Sequence, residues 1–153
     1  MTEIHESVTA LCPHDQTPLA AVAYIDSLPL EDGKRVAAIR VEAGDRIVER
    51  RVDMSLNPQD PGVEPDSVIM DIRWGPHDGD PNPFFTGTLT AEDTGGNFCR
   101  LNLDGSYEAP LGFAGQLFDA VVGQRIELAV CRQVLDDIKT AFELAFQTGM
   151  TIA

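Results

Sequence analysis

The sequence predicts an α+β domain: an antiparallel meander with one apolar face, covered by a long C-terminal helix. Three observations lead there. Several segments alternate apolar and polar residues with period two, the pattern of a sheet wet on one side. The links between these segments are short, as in a meander. The stretch from Ser106 to Phe146, SYEAPLGFAGQLFDAVVGQRIELAVCRQVLDDIKTAFELAF, leaves a strand through a Pro-Leu-Gly turn. About 35 residues that can be helical follow it.

The elements can be justified in order. Ile4 to Leu11 is a weak strand candidate. In HDQTPLAAVAYIDSLPLEDG, Thr17 can cap a helix and Pro18 suits its first position, where a missing N–H costs nothing. Leu19, Val22, Ala23 and Tyr24 are expected on its packed side, and Pro29 ends it. KRVAAIRVEAGDRIVERRVDMSL holds two strands turning at Ala43-Gly44-Asp45. Ala37, Ile39 and Val41 alternate with Ala38, Arg40 and Glu42; Val48, Val52, Met54 and Leu56 alternate with Glu49, Arg51 and Asp53. NPQDPGVEPD is a Pro-rich loop. SVIMDIRWG sends Val68, Met70, Ile72 and Trp74 one way and Asp71 and Arg73 the other. After the loop PHDGDPNP, a hairpin turns near Gly95-Gly96. Its inward set is Phe85, Gly87, Leu89, Cys99, Leu101, Leu103 and Tyr107; Thr86, Thr88, Thr90, Arg100, Asn102 and Asp104 face out.

The apolar sheet face needs a cover, and the terminal helix is the largest element left to supply it. At about 100° per residue, Leu117, Phe118, Val121 and Val122 share one side of that helix. Cys131, Val134, Leu135, Ile138, Phe142 and Phe146 share another, rotated by roughly a quarter turn. The phase changes near Gly123-Gln124, where a kink or short break is expected because Gly weakens a helix interior. The alternative is a straight helix whose first turns meet a second surface, such as a dimer partner.

The 153 residues fit one domain spanning 1–153, long enough to build a core without staples. A formal net charge of −14 repels phosphate backbones and anionic lipid heads, which disfavours nucleic acid and membrane surfaces as partners. Cys12, Cys99 and Cys131 are odd in number, widely spaced and without a Cys-x-x-Cys pair, so buried thiols in a reducing compartment are expected rather than disulfides or zinc. MTEIHESV is acidic and lacks an apolar signal core, and no apolar run reaches the ~18 residues of a membrane span. The expectation is a cytoplasmic protein without membrane insertion.

At its C-terminal end the chain resembles a known family. The marks are Tyr107 near the end of the last strand, Pro110-Leu111-Gly112, Leu117-Phe118-Asp119, Val122-Gly123-Gln124-Arg125 and the long helix; the paired strands of FFTGTLTAEDTGGNFCRLNLDG agree. This pattern is similar to the START/SRPBCC superfamily, the helix-grip proteins, and most of all to their bacterial polyketide-cyclase-like branch. The resemblance implies a sheet curled around the terminal helix with an apolar cavity between them. It implies binding of lipid-, sterol-, hormone- or polyketide-like molecules, with cyclisation or dehydration in some members. No cofactor is expected. Two features depart from the pattern: six strand candidates stand where seven are usual, and the segment after Cys12 is short for the usual pair of small helices. The front of the cavity is therefore expected to be smaller or more open.

Arg50 is the most informative candidate. VERRV places three charges in mid-strand, and alternation cannot send all of them to water. Its neighbours Val48, Val52 and Met54 favour turning Arg50 inward, where a guanidinium needs an anion, water or carbonyl groups. It would then hold the polar end of an apolar ligand; on a bulge or open edge it would instead reach water. Trp74, beside the loop GPHDGDPNP, suits either a cavity mouth or the core. His77, Asp78 and Asp80 carry metal-compatible atoms, but on a flexible loop, so no metal is expected. Asp15 of CPHD is better explained as a helix-start residue, and Gly95-Gly96 as a turn. Tyr107 can donate a proton to a carbonyl or pack at a strand end. Phosphate-loop, nucleophile-elbow and zinc-protease patterns are absent from the sequence.

The expected lining is Arg50, Met70, Trp74, Leu101, Tyr107, Phe118 and Val122, around a small apolar or amphipathic ligand. A second reading is a cyclase- or dehydratase-type enzyme in which Arg50 stabilises an enolate-like oxygen and Tyr107 or His77 moves the proton. A third is a filled core acting through a protein partner, homodimer included, with an apolar stripe on Leu117 to Val122 as its mark.

Overall fold

Every alternating segment forms a strand. In the computed structural model, which describes residues 2–43, 45–59, 67–77, 85–107 and 120–152, the chain opens with β1 (Thr2–Leu11), a 3-10 turn (His14–Gln16) and helix α1 (Thr17–Ser27). There follow β2 (Leu30–Glu31), β3 (Lys34–Ala43), β4 (Arg46–Pro58), β5 (Ser67–Pro76), β6 (Phe85–Gly95), β7 (Phe98–Tyr107) and a long helix, α2 (Ala120–Ile152). The strands form one sheet in the order β1-β7-β6-β5-β4-β3-β2, and every pairing is antiparallel.

The predicted inner faces are the buried ones. Ala37, Ile39, Val52, Met54, Leu56, Met70, Ile72, Trp74, Phe85, Leu89, Cys99, Leu101, Leu103 and Tyr107 join a single core. The side chains of Val41 and Val48 lie outside the described residues. Cys131, Val134, Leu135, Ile138, Phe142 and Phe146 of α2 close that core with the one stripe the sequence assigns them. The three cysteines are buried, and none forms a disulfide.

The curl of the sheet follows from what α2 touches. It contacts both β1 and β3. These strands lie five strand spacings apart, about 24 Å if the sheet were flat. A helix is only about 10–12 Å across, so the sheet must fold round it. Gly87 and Gly105 face each other on β6 and β7 and permit a close approach there. A Cβ on Gly105 would stand 2.5 Å from the Thr86 carbonyl oxygen and 2.7 Å from Cζ of Phe85, and one on Gly87 would run into the Asp104 carbonyl.

Two contacts give α2 its direction. Arg132 Nε donates to Glu6 Oε1 at 3.2 Å, and the Leu11 N–H donates to Glu143 Oε2 at 2.9 Å. From Glu6 to Leu11 a strand advances about 17 Å, and from Arg132 to Glu143 a helix advances about as much. The two elements therefore run side by side in the same direction. The first turns of α2 lie near Thr2 and its β7 partner Tyr107, while the 3-10 turn and α1 follow the opposite end of β1.

Four expectations need correction. α2 is continuous through Gly123-Gln124, because one Gly costs a helix only about 1 kcal/mol. The residues before Ala120, which hold Leu117 and Phe118, lie outside those described. The packed face of α1 is Thr17, Ala20, Ala21 and Tyr24, whereas Leu19 (77% exposed), Val22 and Ala23 face out. Small residues let α1 lie close to β4 and α2, so size outranked hydrophobicity. Thr17 does not cap α1; its hydroxyl donates to the His14 carbonyl at 2.7 Å. The seventh strand is the two-residue β2, joined to β3 through Asp32 and Gly33, both with positive φ as a two-residue hairpin turn requires. Arg35 reaches back from that hairpin to the Leu28 carbonyl at 3.0 Å, anchoring the end of α1. Among the described residues no helix is long and apolar enough to cross a membrane.

Candidate functional site

Register places side chains in rows across the inner face. One row runs Met54, Trp74, Phe85, Tyr107, as each is the paired partner of the next. All four are buried. Trp74 and Phe85 stack with ring centroids 4.3 Å apart and planes 10° from parallel, a contact worth about 0.5–1.5 kcal/mol beyond its area. The next row, Leu56, Ile72, Gly87, Gly105, has no side chain on β6 or β7. Without one, the Phe85 ring can reach toward Gly105. The aromatic row thus crosses the end of the sheet nearest the first turns of α2.

One polar atom in this row stands out. Trp74 is 1% exposed, and its indole Nε1 finds no acceptor among the described residues. An enclosed donor left unmatched costs about 1–3 kcal/mol.

The structure brings together only part of the expected lining. Trp74 and Tyr107 sit in one row, separated by Phe85. Met70 is four residues from Trp74 along β5, about 14 Å away, and Leu101 is six residues from Tyr107 along β7, about 20 Å away. Both lie deep in the core, toward the α1 end. The Arg50 backbone pairs with Ile39 on the part of β4 that extends past β5; its side chain, the Val122 side chain and Phe118 lie outside the described residues. Phe85 is the aromatic that the expected lining omitted. Its inward parity is legible in the sequence, but its stacking on Trp74 depends on the β5–β6 register.

A cleft of 490 Å³ opens where the outer part of the β3–β4 hairpin meets α2, lined by Arg40, Glu42, Ile47, Ala129 and Gln133. A second hollow of 340 Å³ lies on the outer face and is lined by polar residues such as His5, Thr90, Arg100 and Asp104, a poor match for an apolar guest. There Asp104 accepts a hydrogen bond from His5 Nδ1 at 2.7 Å and holds the imidazole pKa above its usual value.

His77 has a different setting from the one expected. Its Nδ1–H donates to Asp53 Oδ1 at 2.6 Å, and Lys34 Nζ stands 3.4 Å from the other carboxylate oxygen. Asp53 alternates with the buried Val52 and Met54, so this pair belongs to the outer side of the sheet, away from the aromatic row. The sequence hides the pair because only the β4–β5 register sets Asp53 opposite Gly75, two residues before His77. Asp78 and Asp80 lie outside the described residues. Among the described residues no three His, Cys, Asp or Glu are grouped to hold a metal.

Burial sets the remaining titrations. It pushes the Cys12 thiol up to about 11 and the Cys99 thiol up to about 12, so both stay protonated and unreactive near neutral pH. It raises the Tyr24 hydroxyl as well, with Asp137 adding to the effect, and it raises the Asp137 carboxyl against the opposing hydrogen bond from Gln133.

No protein-family model and no curated protein matches the chain. Solved structures do. TTHA0849 from Thermus thermophilus is 13% identical with a TM-score of 0.53, over 94% of this chain and 99% of that one. The Zhui aromatase/cyclase from a Streptomyces species is 18% identical with a TM-score of 0.48, over 93% of each chain. Mll3558 from Rhizobium loti is 15% identical with a TM-score of 0.33, over 90% of this chain and 99% of that one. The likeness to TTHA0849 supports the fold; the other two are too distant to carry weight.

Proposed function

We propose that the protein is a single-domain helix-grip binder of START/SRPBCC type that holds a small, largely apolar molecule between sheet and helix. The observation that carries this reading is the aromatic row Trp74, Phe85, Tyr107 on the inner face of the sheet. Aromatic carbon of this kind stabilises an apolar guest by about 25 cal/mol per Å² buried. The 490 Å³ cleft at the β3–β4 hairpin falls within the size range of small-molecule sites, roughly 300–1,000 Å³. Three buried thiols outside any disulfide fit a reducing, cytoplasmic setting. Binding is preferred to catalysis because His77, a candidate for proton transfer, is engaged by Asp53 on the outer side.

Trp74 is the sole tryptophan of the chain, so its emission reports on this row alone. Titration with 1-anilinonaphthalene-8-sulfonate or the uncharged N-phenyl-1-naphthylamine is expected to quench Trp74 saturably at one probe per chain. Native mass spectrometry of protein taken from cells is expected to show an added small mass. An unchanged Trp74 spectrum together with an empty mass spectrum overturns the reading.

A further inference from the structure

The two sides of the sheet are finished differently. β1 lies along α2, and Glu143 accepts from its Leu11 N–H. β3 is left open over most of its length. The two-residue β2 pairs only with Lys34 and Arg35, and the Val36 N–H donates to the Pro29 carbonyl at 2.9 Å. That bond fixes which way the β3 backbone faces. The N–H and C=O of one residue in an antiparallel strand point to the same side, and successive residues alternate. Ala38, Arg40 and Glu42 therefore turn their backbone groups to the side of β2, where no strand follows. Among the described residues no backbone partner meets them there. The 490 Å³ cleft between Arg40 and Glu42 of β3 and Ala129 and Gln133 of α2 shows that the helix leaves space beside this edge.

An open edge is a template for another strand. Charges on an edge commonly keep other chains away, but Arg40 and Glu42 are exposed, opposite in sign and two residues apart. Two copies of β3 that meet antiparallel, about a twofold axis at residue 41, set Arg40 of each opposite Glu42 of the other. Both residues turn their backbone groups outward, so each such pair also exchanges two N–H···O bonds. Sliding by two residues either way brings Arg40 against Arg40 or Glu42 against Glu42, and like charges set opposite repel. Arg40 Nε stands 3.9 Å from Glu49 on β4, too far for a hydrogen bond, so that contact does not use up its donors. We propose that the protein forms a twofold homodimer by pairing β3 edges in this register, continuing the sheet from one copy into the next. A net charge of −14 opposes association in general, and an alternating pattern that matches itself favours a second copy over a peptide of uniform charge. Ligand binding plays no part in this contact.

Sedimentation equilibrium of the full chain is expected to give about twice the 16.6 kDa of one chain. Arg40→Glu sets Glu opposite Glu42, and Glu42→Arg sets Arg opposite Arg40. Each variant is expected to weaken self-association by about tenfold or more. Mixed together, the two variants carry opposite charges at both pairs, and a mixed dimer is expected to form about as tightly as the parent's. Ala38→Pro removes an outward N–H without touching the β3–β4 ladder, as edge strands allow, and is expected to dissociate the dimer even if a charge variant fails to fold. In the parent, the Arg40 and Glu42 amide protons are expected to exchange slowly in the dimer and faster on dilution. A parent that keeps the mass of one chain up to near-millimolar concentration overturns the proposal. So does a dimer that survives these substitutions, or one whose Arg40 and Glu42 amides exchange freely, because the contact then lies elsewhere.

Discussion

Gly105 shows how one missing Cβ can shape the sheet. A side chain there would press on the Thr86 carbonyl and the Phe85 ring. The first contact is with backbone, which cannot swing aside as a side-chain end can. Gly105→Ala is expected to lower the unfolding free energy by about 2 kcal/mol or more in urea titration, the range for overfilled cores. It should also disturb the Trp74–Phe85 stack and shift the tryptophan emission. Asp137 is a residue of the opposite kind, one whose charge the fold disfavours. Burial raises its carboxyl pKa above the ordinary 3.8, with Gln133 opposing and Asp136 adding to the rise. A raised carboxyl contributes stability below 3.8 and loses it as pH climbs through the higher folded value. Asp137→Asn is therefore expected to melt at a higher temperature than the parent at pH 7. The gap should close as the pH falls to the ordinary value and below. An equal gap at all pH values would mean that the gain is not electrostatic.

Edge strand β1 illustrates how a helix can secure a strand. An edge offers unpaired backbone donors, and Glu143 of α2 accepts from one of them, the Leu11 N–H, at 2.9 Å. Glu143→Ala is expected to cost about 1–2 kcal/mol and to speed amide exchange at the end of β1. Lys139→Ala, which removes only the 3.4 Å pair along α2, should cost no more than about 0.5 kcal/mol. The elements themselves were largely legible, for physical reasons that differ from case to case. Val68 to Trp74 alternates because a one-sided sheet demands it, and Cys131 to Phe146 keeps a single stripe because one side of α2 meets the core. β2 has no periodic signature because two residues carry no period, although Asp32-Gly33 is itself a hairpin signal. The face of α1 is not legible from hydrophobicity, because close packing selects Ala20 and Ala21 over the larger Leu19 and Val22.

At the level of the whole molecule, the candidate site was less legible than the fold. Parity in a strand says which way a side chain points, but not which residue stands beside it on the next strand. Met70, Trp74, Leu101 and Tyr107 all point inward as their parity implies, yet register sets Trp74 and Tyr107 in one row and leaves Met70 and Leu101 well away from it. The Trp74–Phe85 stack, the His77–Asp53 pair and the cleft beside α2 likewise arise from distant segments brought together. The pairing of β1 with β7 carries this furthest. Thr2 meets Tyr107, so a strand that leaves the ribosome early waits for one made much later before it finds its place. Until then a strand with two open edges is exposed in the growing polypeptide, and a chaperone that shields it has most to protect while β7 is still unmade.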